Sequence, residues 1–338
     1  DNFLVFSYDI NGDKWPDILV IGFPGKESFW YENSQNKDGH WKKNLAFAIV
    51  DNESPMFGDV TGDGKPEIVC CSAGQLCYIE ADWKEPAKPW TFKPISTKGG
   101  WQRFSHGIGF GDINGDGKVD IMDKDGWWQQ PASLATGETW KHNPCKFGGG
   151  GAQMYAYDVD GDGDNDLITS LSAHQYGLAW FEQVKEGDKI TFKERLIMEP
   201  SEKDGKRDYS KPGKNDYGVA FSQLHAVDLV DMDGDGVKDI VTGKRHWAHG
   251  PGGDPEPQAA PVLYWFKTVR GKDGASFIPY QIDGDSGVGT QIIAGDLNGD
   301  SLPDVVVGSK RGVFVLLQKI KKVSKDEWEK AQPKKVAP

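Results

Sequence analysis

Residues 112–123 read DINGDGKVDIMD, and this stretch decides the fold. Asp112, Asn114, Asp116 and Asp120 place side-chain oxygens at positions 1, 3, 5 and 9, and Gly115 at position 4 lets the backbone turn sharply between them. The run that follows is apolar and short, as in a buried strand. The same pattern recurs five more times, as DINGDKWPDILV from Asp9, DVTGDGKPEIVC from Asp59, DVDGDGDNDLIT from Asp158, DMDGDGVKDIVT from Asp231 and DLNGDSLPDVVV from Asp296. Successive copies start 50, 53, 46, 73 and 65 residues apart, room enough for four short strands each.

Several oxygens at short range are what a hard cation such as Ca²⁺ requires. The candidate ligands are Asp9, Asn11, Asp13 and Asp17; Asp59, Thr61, Asp63 and Glu67; Asp112, Asn114, Asp116 and Asp120; Asp158, Asp160, Asp162 and Asp166; Asp231, Asp233, Asp235 and Asp239; and Asp296, Asn298, Asp300 and Asp304. The expectation is up to six structural Ca²⁺ ions, with the second loop the weakest because Thr61 and Glu67 replace an Asp or Asn and an Asp. An EF-hand shares the opening but needs a bidentate Glu at position 12. Here position 12 is Val20, Cys70, Asp123, Thr169, Thr242 or Val307, and the flanks read as strands rather than helices.

Outward from each loop, a short apolar stretch precedes it and another follows, giving strands A and B. A third, aromatic stretch recurs behind them as FWYEN, LCYIE, GWWQQ, LAWFEQ, VLYWF and VFVLLQ, and five of the six units add an alternating fourth. Four short strands repeated radially are the pattern of a β-propeller. The expected fold is therefore all-β, a propeller of four-stranded blades with a calcium loop between the first two strands of each. Six blades are visible. The sixth has no clear fourth strand, so a closed ring would call for a seventh blade or a closing strand upstream of the first residue. One domain is expected over residues 1–320, followed by a basic, polar tail over 321–338.

The placement of the motifs resembles the FG-GAP/VCBS class of calcium-binding propellers over nearly the whole chain. SHGIGFGDINGDG, GGGAQMYAYDVDGDG, SAHQYGLAWFEQ and FSQLHAVDLVDMDGDG with TGKRHWAHGPGGDP resemble secreted bacterial repeat proteins and the propeller domain of aldos-2-ulose dehydratases. That resemblance implies elimination chemistry on keto-sugars. The repeats alone imply none, since the class also contains adhesion propellers.

Topology points to a site independently of family. If the calcium loop joins A to B at one end of a blade, the start of A and the end of B lie at the other. His106 and His225 fall at starts of A, and His174, His246 and His249 at or just beyond ends of B. Lys244, Arg245, Gln153, Tyr155 and Tyr176 belong to the same rim. Neutral imidazoles could hold one further divalent metal, Zn²⁺ or Mn²⁺, or act as a base. Most third-strand aromatics read as inter-blade core. Trp127 and Trp128 are the exceptions expected to bind substrate, because adjacent strand residues face opposite sides and both cannot be buried on one face. Two inserts, 198–222 and 246–261, read as loops near the histidine rim.

Composition narrows the rest. With 39 Lys and Arg against 51 Asp and Glu the net charge is −12, which argues against a nucleic-acid partner. No apolar run approaches the roughly 20 residues that span a bilayer. Cys70, Cys71, Cys77 and Cys145 allow a disulfide, with Cys71 and Cys77 flanking a tight turn. No serine elbow, phosphate loop or dinucleotide fingerprint occurs. Abundant calcium loops suit a periplasmic or extracellular setting. Two functions remain in view: a carbohydrate-active lyase or dehydratase using the histidine rim, favoured because a binding module has no use for convergent histidines, and a non-catalytic glycan- or protein-binding propeller. Sequence leaves the oligomeric state open.

Overall fold

The computed structural model describes residues 2–336 apart from 188, 214 and 273. The chain forms two compact units, residues 1–146 and 147–338. In the first, strands β1 (Leu4–Tyr8), β2 (Asp17–Ile21), β3 (Lys26–Glu32) and the long β4 (Lys42–Gly58) form one antiparallel meander. The end of β4 serves as strand A of the next repeat, with β5 (Glu67–Ser72), β6 (Gln75–Glu80) and β7 (Thr91–Pro94). A third repeat follows as β8 (Ile108–Gly111), β9 (Asp120–Asp123), β10 (Gly126–Gln129) and β11 (Lys141–Pro144).

The second unit continues the pattern. Its repeats are β12 (Gln153–Tyr157), β13 (Asp166–Ser170), β14 (Leu178–Glu186) and β15 (Lys189–Met198), then, after a hairpin of β16 (Pro200–Lys203) and β17 (Lys206–Pro212), β18 (Val227–Val230), β19 (Asp239–Gly243), β20 (Leu263–Gly271) and β21 (Gly274–Asp283). The last repeat has three strands, β22 (Ile292–Gly295), β23 (Asp304–Ser309) and β24 (Gly312–Leu316), before the exposed helix α1 (Lys325–Ala331). The chain is thus an all-β, propeller-type repeat fold, as the motif spacing leads one to expect. The insert at 198–222 folds partly as the β16–β17 hairpin, whereas 246–261 contains no strand.

One device recurs at every motif. The position-9 acid is the first residue of strand B and is fully buried, from Asp17 to Asp304. One of its oxygens accepts from the main-chain N–H of position 2, at 2.9 to 3.1 Å in Ile10, Val60, Ile113, Val159, Met232 and Leu297. In five repeats the other oxygen accepts from strand C or just beyond it, at Asn33, Gln130, Gln183, Thr268 and Gln318. The carboxylate therefore staples the loop to the third strand, which fixes the register of all three strands.

Third-strand aromatics fill the cores as expected: Trp30 packs with Leu4, Leu19 and Ile68, and Trp180 with Phe221, Ile240 and Phe266. Trp127 departs from expectation. It and Trp128 are both buried, at 5% and 3% exposure, because each face of β10 is covered. Across β5 and β6, Cys77 faces Cys70 and not Cys71, with the sulfurs 3.7 Å apart, since strand alternation turns Cys71 to the opposite side.

Candidate functional site

The loops are shaped by their own side chains. Asp112 accepts from the N–H groups of Gly115, Asp116 and Gly117, and Asp296 accepts from Gly299, Asp300 and Ser301 in the same way. Such turns concentrate negative charge. Burial pushes the carboxyl groups of Glu67, Asp166 and Asp239 up to about 7 and that of Asp120 up to about 6, with neighbouring loop acids adding to the rise.

The second loop, the weakest in sequence, supplies a test of fit to calcium. Thr61 Oγ1 and Glu67 Oε1 are both buried there without a hydrogen-bond partner, and an oxygen-seeking cation would use both lone-pair sets. In the fourth loop Asp158, Asp160 and Asp166 offer oxygens within 4.8 Å of one another. The fifth loop brings Asp231, Asp233 and Asp239 equally close, but Lys267 Nζ already contacts Asp233 and lies 2.7 Å from Asp235 Oδ2. In this loop the acids at positions 3 and 5 are thus already engaged by an ammonium.

A cleft of about 420 Å³ opens in the first unit beside the third repeat. Its aromatic wall is built from Trp101, Trp128 and the exposed His142. The His142 ring stacks on Trp128 with centroids 4.2 Å apart, and Trp101 meets Trp128 edge-on at 5.6 Å. The Trp101 indole N–H donates to Asp123 Oδ2 at 2.9 Å, which fixes the ring. Asp125, Lys124, Thr139 and His106 supply polar groups around the rim. His106 Nε2 lies 3.5 Å from Glu53 Oε2. Trp128 was legible as a candidate, whereas Trp101, Asp123 and His142 were not. Trp101 sits in a strandless Gly-rich loop, STKGGWQRF, and a lone Trp beside two glycines was the only available signal.

In the second unit three of the expected histidines come together. His174 lies 5.1 Å from His225 and 4.5 Å from His249, ring to ring. Asp254, not singled out in the sequence, joins them: its carboxylate is 3.0 Å from His249 Nδ1 and 3.8 Å from His174 Nδ1. His174, His249 and Asp254 thus offer three ligand atoms within 4.8 Å of one another. The surrounding backbone is strained, with φ of 63° at Gln223, 50° at Trp247, 25° at Asp254 and 50° at Glu256. Lys244 is buried beside this group, donating to Ser222 Oγ at 2.7 Å, and burial pushes its ammonium down to about 8. Burial and the Glu256 carboxylate push the Tyr176 phenol upward.

The other rim candidates are engaged elsewhere. His246 stacks on Trp247 at 4.6 Å, and burial with the nearby Arg311 holds its imidazole below the ordinary range. Gln153 spans repeats, donating to Thr290 O and accepting from Val227 N, while the buried Tyr155 hydroxyl donates to Val227 O at 3.0 Å. Arg245 N donates to Gln223 O, which ties the start of the 246–261 insert to the loop before β18.

Sheets of this pattern joined by acidic loops define a β-propeller-type repeat protein. Residues 9–70 match the FG-GAP-like repeat family and residues 288–316 the FG-GAP repeat family. No curated protein matches the chain. Among solved structures, it is similar to an Agrocybe aegerita lectin described for specific recognition of non-reducing terminal N-acetylglucosamine, at 16% identity and a TM-score of 0.50, covering 90% of this chain and 73% of that one. It also aligns with a mutant of AofleA from Arthrobotrys oligospora (12% identity, TM-score 0.46, 93% and 87% coverage). The biofilm matrix protein Bap1 of V. cholerae aligns at 14% identity and a TM-score of 0.36, with 90% and 76% coverage. Among the described residues no helix is long and apolar enough to cross a membrane.

Proposed function

We propose that this protein is a calcium-stabilised, carbohydrate-binding propeller of the periplasm or cell exterior, and that the cleft beside the third repeat receives the sugar. The observation that carries the reading is the aromatic wall of Trp101 and His142, backed by the buried Trp128, facing polar groups across about 420 Å³. A sugar ring presents apolar C–H faces and a girdle of hydroxyls, so it needs flat aromatic surface together with a few fixed hydrogen-bonding groups. The shared fold of the N-acetylglucosamine lectin makes that sugar the first probe. Calorimetric titration with mono- and disaccharides is the test. Trp101→Ala and His142→Ala should each weaken binding at least tenfold while leaving the melting temperature within a few degrees. Unchanged affinity in both variants would remove the cleft as the site.

The group formed by His174, His249 and Asp254 favours a second reading, a carbohydrate lyase. Two imidazoles and a carboxylate suit Zn²⁺ or Mn²⁺, which when bound would supply Lewis-acid polarisation of a sugar ketone. His225, packed against His174, would take the proton α to that ketone, and an acid would assist departure of the β-hydroxyl or alkoxide. Metal analysis together with a screen of keto-glycosides for an ultraviolet-absorbing enone tests it. Absence of both metal and enone would reject it.

A further inference from the structure

The fifth loop carries four carboxylates, Asp231, Asp233, Asp235 and Asp239, and among the described residues it is the loop in which one ammonium contacts the acids at both position 3 and position 5, whereas in the third loop Lys118 Nζ lies 4.0 Å from Asp116 and in the fourth Arg270 reaches Asp158 at position 1. The register explains how. Asp239 begins β19 and is paired, through Ile240 with Phe266, to a position on β20 filled by Lys267. The corresponding residues opposite the position-9 acid are Glu32, Glu80, Gln129, Glu182 and Leu317 in the other five repeats. Three of these are acids, one an amide and one apolar. Only the fifth repeat places a cation there.

We propose that Lys267 is a built-in cation, its ammonium taking the place of Ca²⁺ so that the loop over residues 231–239 closes without metal. An ammonium offers three donors on a flexible stem. Asp233 and Asp235, at positions 3 and 5, take two of them. The backbone is already held by the turn itself, with Asp231 accepting from Gly234, Asp235 and Gly236, and the staple is complete through Met232 N and Thr268 N to Asp239. The remaining role of a cation in such a loop is to offset the repulsion between positions 3 and 5, and Lys267 does this from the neighbouring strand.

The proposal compares this loop with the others, but its test stands apart from whether those bind calcium. Calcium bound per chain is measured by equilibrium dialysis with elemental analysis, on the full chain and on Lys267→Gln. The variant should bind one more Ca²⁺ than the parent, whatever the parent's number. Equal numbers would overturn the proposal, whereas a parent that binds none beside a variant that binds one would refute only the calcium reading of the other loops. Asp235→Asn, made in the parent, guards against misfolding of the first variant: it should leave the bound calcium unchanged. Loss of one Ca²⁺ in Asp235→Asn would show that the fifth loop was a metal site after all.

Discussion

Lys244 is a lysine held almost wholly out of water. It is 1% exposed, and its ammonium is held by the Ser222 hydroxyl alone at good distance, with Pro255 O at 3.4 Å. A lysine depressed to about 8 in the fold and titrating near 10.4 when unfolded binds fewer protons folded than unfolded across that interval. Stability contributed at this position therefore rises as pH rises from about 8 to about 10.4, and the cost of burying charge is present in full below 8. Lys244→Met removes the titration and keeps most of the volume. The melting temperature of the parent relative to Lys244→Met should climb between pH 7.5 and pH 10, and a constant difference would mean that the group is not desolvated. The same residue shows where reading ahead of the structure stops. Its position at the end of a B strand was visible in TGKRHW, but burial arises from Ser222 and the 250s loop, which are distant in sequence and carry no periodic signal. Asp254 was missed for the same reason, in a strandless stretch of glycines and prolines.

At the level of the element, the turn between A and B was fully legible because its chemistry is local. Position 4 adopts φ between 76° and 86° as glycine in all six copies. Position 6 is left-handed too, at 81° to 96° where it is Gly64, Gly117, Gly163 or Gly236, but the conformation persists at Lys14, φ 73°, and Ser301, φ 70°. A side chain in that region costs roughly 1–2 kcal/mol, and a glycine gives back about 0.5–1 kcal/mol through the freedom of the unfolded chain. Ser301→Gly should therefore stabilise the protein by about 0.5–1 kcal/mol in chemical denaturation, since its N–H to Asp296 is retained. Destabilisation would show that the Ser301 side chain makes contacts that matter more than backbone strain. Packing across elements was harder to read. Alternation on β10 is real, yet both Trp127 and Trp128 are covered, because whether a strand face is buried depends on neighbours that the strand does not encode.

At the level of the whole molecule, the repeats set the response to pH and calcium together. Glu67, Asp166 and Asp239, raised to about 7, and Asp120, raised to about 6, are buried in both units of the chain. A carboxyl raised in the fold holds its proton where the unfolded chain has already released it, so its contribution to stability is greatest near and below pH 4 and is lost as pH rises to 7. Without metal, the melting temperature should fall from pH 5 to pH 8, adding to the self-repulsion of a chain of net charge −12. On the calcium-stabilised reading proposed above, Ca²⁺ would bind the ionised form of the loops other than the fifth and so oppose this loss at neutral pH, by an amount that grows with the ion's concentration. Melting curves taken with excess chelator and with millimolar calcium should lie close together near pH 5 and separate progressively toward pH 8. Coincident curves at pH 8 would mean that the acidic turns hold their shape through hydrogen bonds alone, with carboxylate repulsion relieved by neighbouring lysines and arginines, as Lys267 relieves it in the fifth repeat.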